Sequence, residues 1–373
     1  HYRLPLYLRM AQDTDLDFTL LYGAGQKNSK QRNCDFPKDI IKSIKHLTIR
    51  LPFKTSIHAG TMPIYPNLFF YLIRLAPDVI LSEGTSSIMN ASIAFIYAKI
   101  FRKKFIWWSM GLLRNKKNTG LRKILEYWEI FIERRSDAIF TYSHQGKDYF
   151  LSHKVAPENI FVGVNVLDTN KKLEENKKQA DKAIHFEYSQ YFNLVFIGSV
   201  IKVKKLELLI DVLQSFNEKN GPKAKLHIIG DGPYMNNIKA YAAEKNAEKD
   251  IIFYGRINEG AGQILQQCDV MVLPGLGGLA ICEAMLSALP VITGYADGTE
   301  LDLVDESCGY IIPDMNHDNL LEKISELYFN PTLRKKMGEQ AYARITGQFH
   351  FDNYYGQLKN AIRHCLKLES GHP

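Results

Sequence analysis

The chain has 373 residues, 46% of them hydrophobic and 23% charged, and a formal net charge of +7. That balance excludes a disordered chain and suits two globular domains, each large enough to bury its own core. The longest mostly apolar run, Ile88 to Phe101, is interrupted by Asn90, Ser92 and Lys99 and falls short of the roughly 20 residues a bilayer crossing takes, so no transmembrane helix is predicted.

In chain order, the pattern predicts a helix over Leu4 to Ala11, then strands at Phe18 to Tyr22, Leu47 to Leu51, Val79 to Ser82, Phe105 to Ser109, Ala138 to Tyr142 and Ile160 to Val162. Helical stretches alternate with these strands, as in parallel sheets with crossover helices. Lys171 to Lys182 is highly charged with no apolar stripe and reads as an exposed connector. Strands resume at Leu194 to Ile197, Lys225 to Ile229, Ile251 to Tyr254, Val270 to Leu273, Val291 to Thr293 and Tyr310 to Ile312. Two α/β domains follow, 1–167 and 168–351, with a C-terminal helix over 352–373 expected to pack back on the first. The ligand is expected between them, at the carboxyl ends of the strands. A doubly wound sheet places its first strand centrally, and no strand precedes the opening helix. The chain is therefore expected to lack a strand and a turn, roughly ten residues, at its start.

Charge is unevenly placed: residues 1–165 carry 24 Lys and Arg against 13 Asp and Glu, which leaves the remainder net negative. The positives cluster at Arg102, Lys103 and Lys104, at Arg114, Lys116 and Lys117, at Arg122 and Lys123, and at Arg134 and Arg135. A solvated face and an anionic membrane or phosphorylated lipid both suit such clusters. No nucleic-acid-binding motif accompanies them, so nucleic acid is not an expected partner. The five cysteines, Cys34, Cys268, Cys282, Cys308 and Cys365, are odd in number, scattered and without a CxxC pair. They point away from disulfides and zinc. With no signal-peptide pattern at the start, the expected location is the cytoplasm, with peripheral attachment to the inner face of the plasma membrane as the variant the basic half suggests.

The most informative stretch is Pro274 to Thr293, PGLGGLAICEAMLSALPVIT. A strand runs into a glycine-rich turn at Gly275, Gly277 and Gly278, then into a short helix that carries Glu283, then into another strand, and the amides near Gly277 to Leu279 are the anion-binding candidates. Glycines let backbone approach a ligand, and the amides at a helix start favour an anion such as a diphosphate. Glu283 is the candidate for the ribose hydroxyls. Upstream, Lys204, with Lys202 next, follows a strand end where a lysine can neutralise a diphosphate. Gly255 and Arg256 follow another strand end and are candidates for reading a nucleobase edge. Gly230 to Pro233 reads as a structural turn, and Glu300 as a carboxylate placed at a helix start.

Taken together, FIGSVIKVKKLELLIDVL, LHIIGDGP, IIFYGRI, CDVMVLPG, GLAICEAMLSALPVIT and DGTELDLV resemble the nucleotide-sugar domain of retaining glycosyltransferases of family 4. HYRLPLYLRM, APDVILSEG, SDAIFTYSHQGKDYF and ENIFVGVNVLDT extend a weaker likeness over the first half. The resemblance implies the GT-B fold, two facing Rossmann-like doubly wound α/β domains with a central cleft. It implies retaining, metal-independent transfer of a sugar from a nucleoside-diphosphate donor to a polysaccharide or glycolipid acceptor, with no cofactor beyond the donor. By the resemblance Glu283 is the second glutamate of an E-x7-E motif and faces the ribose, and Lys204 faces the diphosphate. The chain departs from the pattern at Gly275, where the first glutamate falls, at Ser199, where an arginine usually stands, and at Ser109 and Met110, where many members carry a histidine. Arg3 and Glu83 are the acceptor-side candidates. A sugar-nucleotide epimerase of the same architecture, or a non-catalytic sugar-nucleotide binder, are the alternatives.

Overall fold

The structure, a computed structural model, describes residues 3–23, 43–49, 58–59, 62–84, 87–111, 121–180, 187–221, 223–257 and 259–370. Cys34 and the basic residues Arg114, Lys116 and Lys117 lie outside them. The chain divides into two units, one comprising residues 1–142, 146–163 and 355–373, the other residues 143–145 and 164–354.

In the first unit the strands are β1 (Leu20–Gly23), β2 (His46–Ile49), β3 (His58–Ala59), β4 (Met62–Pro63), β5 (Val79–Glu83), β6 (Lys104–Trp108), β7 (Ala138–Thr141) and β8 (Ile160–Val162). β5 to β8 pair in chain order as a parallel sheet, β1 pairs with β2 in parallel, and β3 with β4 antiparallel. Phe105, Ile106, Trp107, Ile139 and Phe140 are fully buried, as strands covered on both faces by crossover helices must be. The helices Leu68–Leu75, Ile88–Ile100 and Leu121–Arg135 pack side by side over this sheet. Phe69 meets Tyr97 and Phe101 edge-on or tilted, and Phe95 meets Phe131, so aromatic rings join the three.

The last helix, Phe351–Ser370, joins the first unit from Tyr355 onward. It is held by Asp13, which accepts hydrogen bonds from the Tyr355 hydroxyl (2.5 Å) and the Lys359 amine (2.9 Å). Burial pushes the Asp13 carboxyl up, but these bonds and the Asp15 backbone outweigh it and hold the group down at about 2.

The second unit contains β9 (Phe192–Ile197), β10 (Ala224–Ile229), β11 (Ile251–Gly255), β12 (Val270–Leu273), β13 (Val291–Gly294) and β14 (Gly309–Ile312). All pairs are parallel, in the order β11-β10-β9-β12-β13-β14. Chain direction across the sheet thus reverses between β9 and β12, the switch point where the loops after two neighbouring strands diverge and leave a crevice.

One expectation is corrected. Residues from Lys171 onward, read as an exposed connector, belong to a helix, Thr169–Ala180. Asp168 starts it by accepting the Lys171 N–H at 3.0 Å, and Lys171 and Lys172 pair with Glu175 along it. An apolar stripe is not needed because the half-buried face, Lys172, Leu173, Glu175 and Asn176, packs polar groups against the helices Ala261–Leu265 and Leu279–Leu286.

Candidate functional site

The loops that leave β9 and β12 meet at the switch point. After β9 the chain runs through Gly198 and exposed Ser199 to Val200, which is fully buried and tied by its N–H to the Asp231 carbonyl (3.1 Å). Tyr234 N–H returns a bond to the Val200 carbonyl, and Gly232 leaves no room for a side chain beside Val200. The turn at Gly230 to Pro233 is thus a structural buttress. A single 3-10 turn, Lys202–Lys204, follows, and Lys205 closes it with a left-handed φ of 54°. Lys202 points to solvent, whereas the Lys204 amine turns back to donate to the Leu276 carbonyl oxygen.

Gly275 explains how the two loops can lie so close. Its backbone rests on that of Val203 and Lys204: a Cβ there would stand 2.7 Å from the Lys204 Cα and overlap the Val203 carbonyl oxygen. No side chain fits, so the absence of a motif glutamate at this position is a packing requirement of this loop pair.

Beyond Gly275 the loop opens. Leu276 is 44% exposed, and Gly277, Gly278, Leu279 and Ala280 are half-exposed. Gly278, at φ 143°, adopts a backbone that L-residues avoid and begins the helix Leu279–Leu286, whose start carries no side-chain cap. An uncapped, accessible helix start leaves backbone N–H groups for an outside acceptor. One turn further, Glu283 stands 24% exposed with its carboxylate 3.6 Å from the Lys172 amine. Glu175, Asn176, Gly260, Gly262 and Ser287 line the shallow recess around this pair.

The loop after β13 completes the surroundings. Asp297 accepts the Thr299 N–H at 3.1 Å through one carboxylate oxygen, and its other oxygen lies 3.8 Å from where a Gly278 Cβ would be. Burial lowers the pKa of the Lys204 amine, and the Asp297 charge partly opposes that. Glu300, 1% exposed, uses both carboxylate oxygens to accept the N–H groups of Ala296 (2.8 Å) and Gly298 (2.9 Å). Burial raises its pKa, which those bonds partly oppose, and its work is to hold the loop that presents Asp297.

Lys204, Gly275, Gly277, Gly278, Leu279 and Asp297 therefore gather at the switch point, with Glu283 one helical turn away. Gly255 and Arg256 sit at the same end of the sheet but two strands from β9, at the end of β11. Gly255 has φ 66° with open space beside it, its carbonyl accepts the Gly230 N–H at 2.7 Å, and Arg256 is exposed. Sequence reasoning missed Lys172, because its segment reads as a connector, and Asp297, whose role depends on a neighbouring loop.

In the first unit, Arg3 and Glu83 form an ion pair at the carboxyl end of β5. The Arg3 guanidinium lies 4.2 Å above the Trp108 ring and donates to the Tyr142 hydroxyl at 2.5 Å. Ser109 is buried and caps the turn after β6 by accepting the Gly111 N–H at 3.2 Å.

Residues 177–344 match the family described as Glycosyl transferases group 1. An uncharacterized glycosyltransferase of Methanocaldococcus jannaschii is 23% identical over 80% of this chain and 78% of its own length. The capsular polysaccharide biosynthesis glycosyltransferase CapM of Staphylococcus aureus is 24% identical over 59% of this chain and 61% of its length. Among solved structures, Anabaena HepE in complex with UDP superposes with a TM-score of 0.70 at 15% identity, over 92% of this chain and 99% of that one. The chain has the GT-B fold, with two Rossmann-like α/β units.

Proposed function

On the premise that residues 177–344 are a glycosyl transferases group 1 domain, we propose that the chain moves a sugar, with retention, from a nucleoside diphosphate to a polysaccharide or glycolipid acceptor. The observation that carries this reading is the seam between Gly275 and Lys204, which sets a cationic amine beside an open helix start at the switch point of a doubly wound sheet. Anabaena HepE has been crystallised with UDP-glucose, and relatives such as CapM are named for polysaccharide assembly, which supports the donor and acceptor classes.

In this reading the diphosphate lies against Gly277, Gly278 and Leu279. As the bond from the anomeric carbon to the diphosphate breaks, the charge on the departing phosphate is met by Lys204 and the loop amides, groups already in place before reaction. Leu276 gives up the Lys204 amine to the phosphate. Glu283 accepts hydrogen bonds from the ribose, with Lys172 holding its carboxylate. The free Asp297 oxygen accepts from a hydroxyl of the transferred sugar, a role that Gly275 cannot fill.

A screen of UDP, GDP, ADP and their sugars by thermal shift tests the donor. One nucleoside diphosphate should stabilise the protein, and turnover should require an acceptor. No shift with any of them overturns the reading. A shift with turnover of the donor alone indicates an epimerase, and a shift without turnover on any acceptor tried indicates the non-catalytic binder that the departures at Gly275 and Ser199 allow.

A further inference from the structure

The outward face of the three-helix layer in the first unit is apolar. Leu68–Leu75 presents Phe70 and Ile73, Ile88–Ile100 presents Ile96 and Ile100, and Leu121–Arg135 presents Ile124 and Tyr127. The exposures are large: 71% for Phe70, 61% for Ile100, and 66% each for Ile124 and Tyr127. Single exposed apolar residues are ordinary, but a patch drawn from three adjacent helices is not. The central helix is apolar on two faces, with Lys99 the exposed charge among them: Phe95 and Tyr97 turn into the core while Met89, Ile96 and Ile100 form a stripe on the other side. A helix of that pattern is built to be covered on both faces, and its 13 residues are too few to span a bilayer.

The rim decides what covers it. Arg74, Arg102, Lys123 and Arg135 stand exposed around the patch, and residues 68–137 carry 12 Lys and Arg against 6 Asp and Glu. Of the three acidic groups on the third helix, Glu133 is buried and Glu126 and Glu129 are half-buried. Apolar side chains inside a basic rim suit the boundary between acyl chains and anionic headgroups. Tyr127 presents a ring with a polar tip, the residue type that settles at that depth.

We propose that this face is a docking surface for an anionic lipid bilayer, with Phe70, Ile100 and Ile124 entering the headgroup boundary and Arg74, Arg102, Lys123 and Arg135 meeting lipid phosphates. The inference stands on the first unit and does not depend on what the second unit binds.

Co-sedimentation with vesicles tests it, one set of phosphatidylcholine alone and one with about a third phosphatidylglycerol. The protein should be retained on the anionic set at low salt and released by about 0.5 M salt. Replacing Phe70, Ile100 and Ile124 together by Ser should lower retention at least about tenfold, as should Arg102→Gln with Lys123→Gln, which leaves the apolar side chains in place. Both variants should melt like the parent and keep its nucleotide-induced thermal shift, if it has one, so a failure of the donor reading stays separate. Absence of retention, equal retention on both vesicle sets, or full retention by either variant overturns the proposal. So does a dimer in light scattering that the triple Ser variant abolishes, since a second copy would then be the cover.

Discussion

The backbone of Gly275 packs on the backbone of Lys204, so the loops after β12 and β9 are joined at a point where even a methyl group would collide with main chain. Neither side can yield cheaply, because the Lys204 turn is itself pinned by the buried Val200. Gly275→Ala should cost about 3 kcal/mol in urea unfolding, and Gly275→Glu more. Nucleotide-induced stabilisation should vanish in both. A Gly275→Glu protein that folds and turns over faster would show that the position is open to a motif glutamate after all.

Lys204→Met should lower donor turnover by about a hundredfold or more, since it removes the charge that meets the leaving diphosphate. Burial lowers the Lys204 pKa from its ordinary 10.5, so the amine loses its proton earlier as pH rises. Nucleotide affinity, read by calorimetry, should therefore decline with rising pH beginning below 10.5, and Lys204→Met should flatten that decline.

Glu283→Ala should weaken nucleoside diphosphate binding by about ten- to a hundredfold, the range for a lost charged hydrogen-bond acceptor. The informative comparison is with the 2′-deoxynucleotide. The parent should prefer the ribonucleotide and Glu283→Ala should not. An unchanged preference would remove the carboxylate from the ribose.

Asp297→Asn should leave the affinity for the bare nucleoside diphosphate near the parent value and reduce that for the nucleotide sugar, because the free oxygen at Gly278 is assigned to the sugar. Equal losses for both ligands would instead assign Asp297 to the diphosphate region as a whole.

His227 supplies a pH dependence of folding. It is fully buried, with one ring nitrogen 2.9 Å from the Asn193 side-chain oxygen and the other 3.0 Å from the Tyr254 hydroxyl. The Asn193 amide nitrogen donates to the Tyr188 and Tyr191 carbonyls, so its oxygen faces the ring, and a neutral imidazole satisfies every group. Burial, with the nearby Lys225 charge, pushes the pKa down from 6.5 to about 4. The folded-state value is depressed, so the unfolded chain takes up the proton first as pH falls. The contribution is complete above 6.5 and is lost toward 4, to the extent of about 3 kcal/mol. Urea unfolding of the second unit at neutral pH and near the lower value should show this loss, and His227→Leu should show less of it.

The alternation of strands and helices, the positions of the twelve predicted strands and the glycine-rich turn before Glu283 were all legible in the sequence. Each leaves a local signature: apolar runs the length of a buried strand, punctuated by Gly and Pro. The helix Thr169–Ala180 was illegible by that rule because its packed face is polar, and Lys172 with it. The pairing of Arg3 with Glu83, and the stacking of Arg3 on Trp108, join the first turn of the chain to the ends of two strands. No local pattern reports such contacts.

By itself the sequence determined a parallel α/β chain and a candidate anion loop, because both follow from residue types at short spacing. Only the tertiary structure decided that position 275 admits no side chain, that the Asp297 carboxylate stands beside Gly278, and that Glu300 is committed to backbone. The physical reason is that close packing is set by which loops the strand order brings together, and strand order depends on the long-range burial of β9 between β10 and β12.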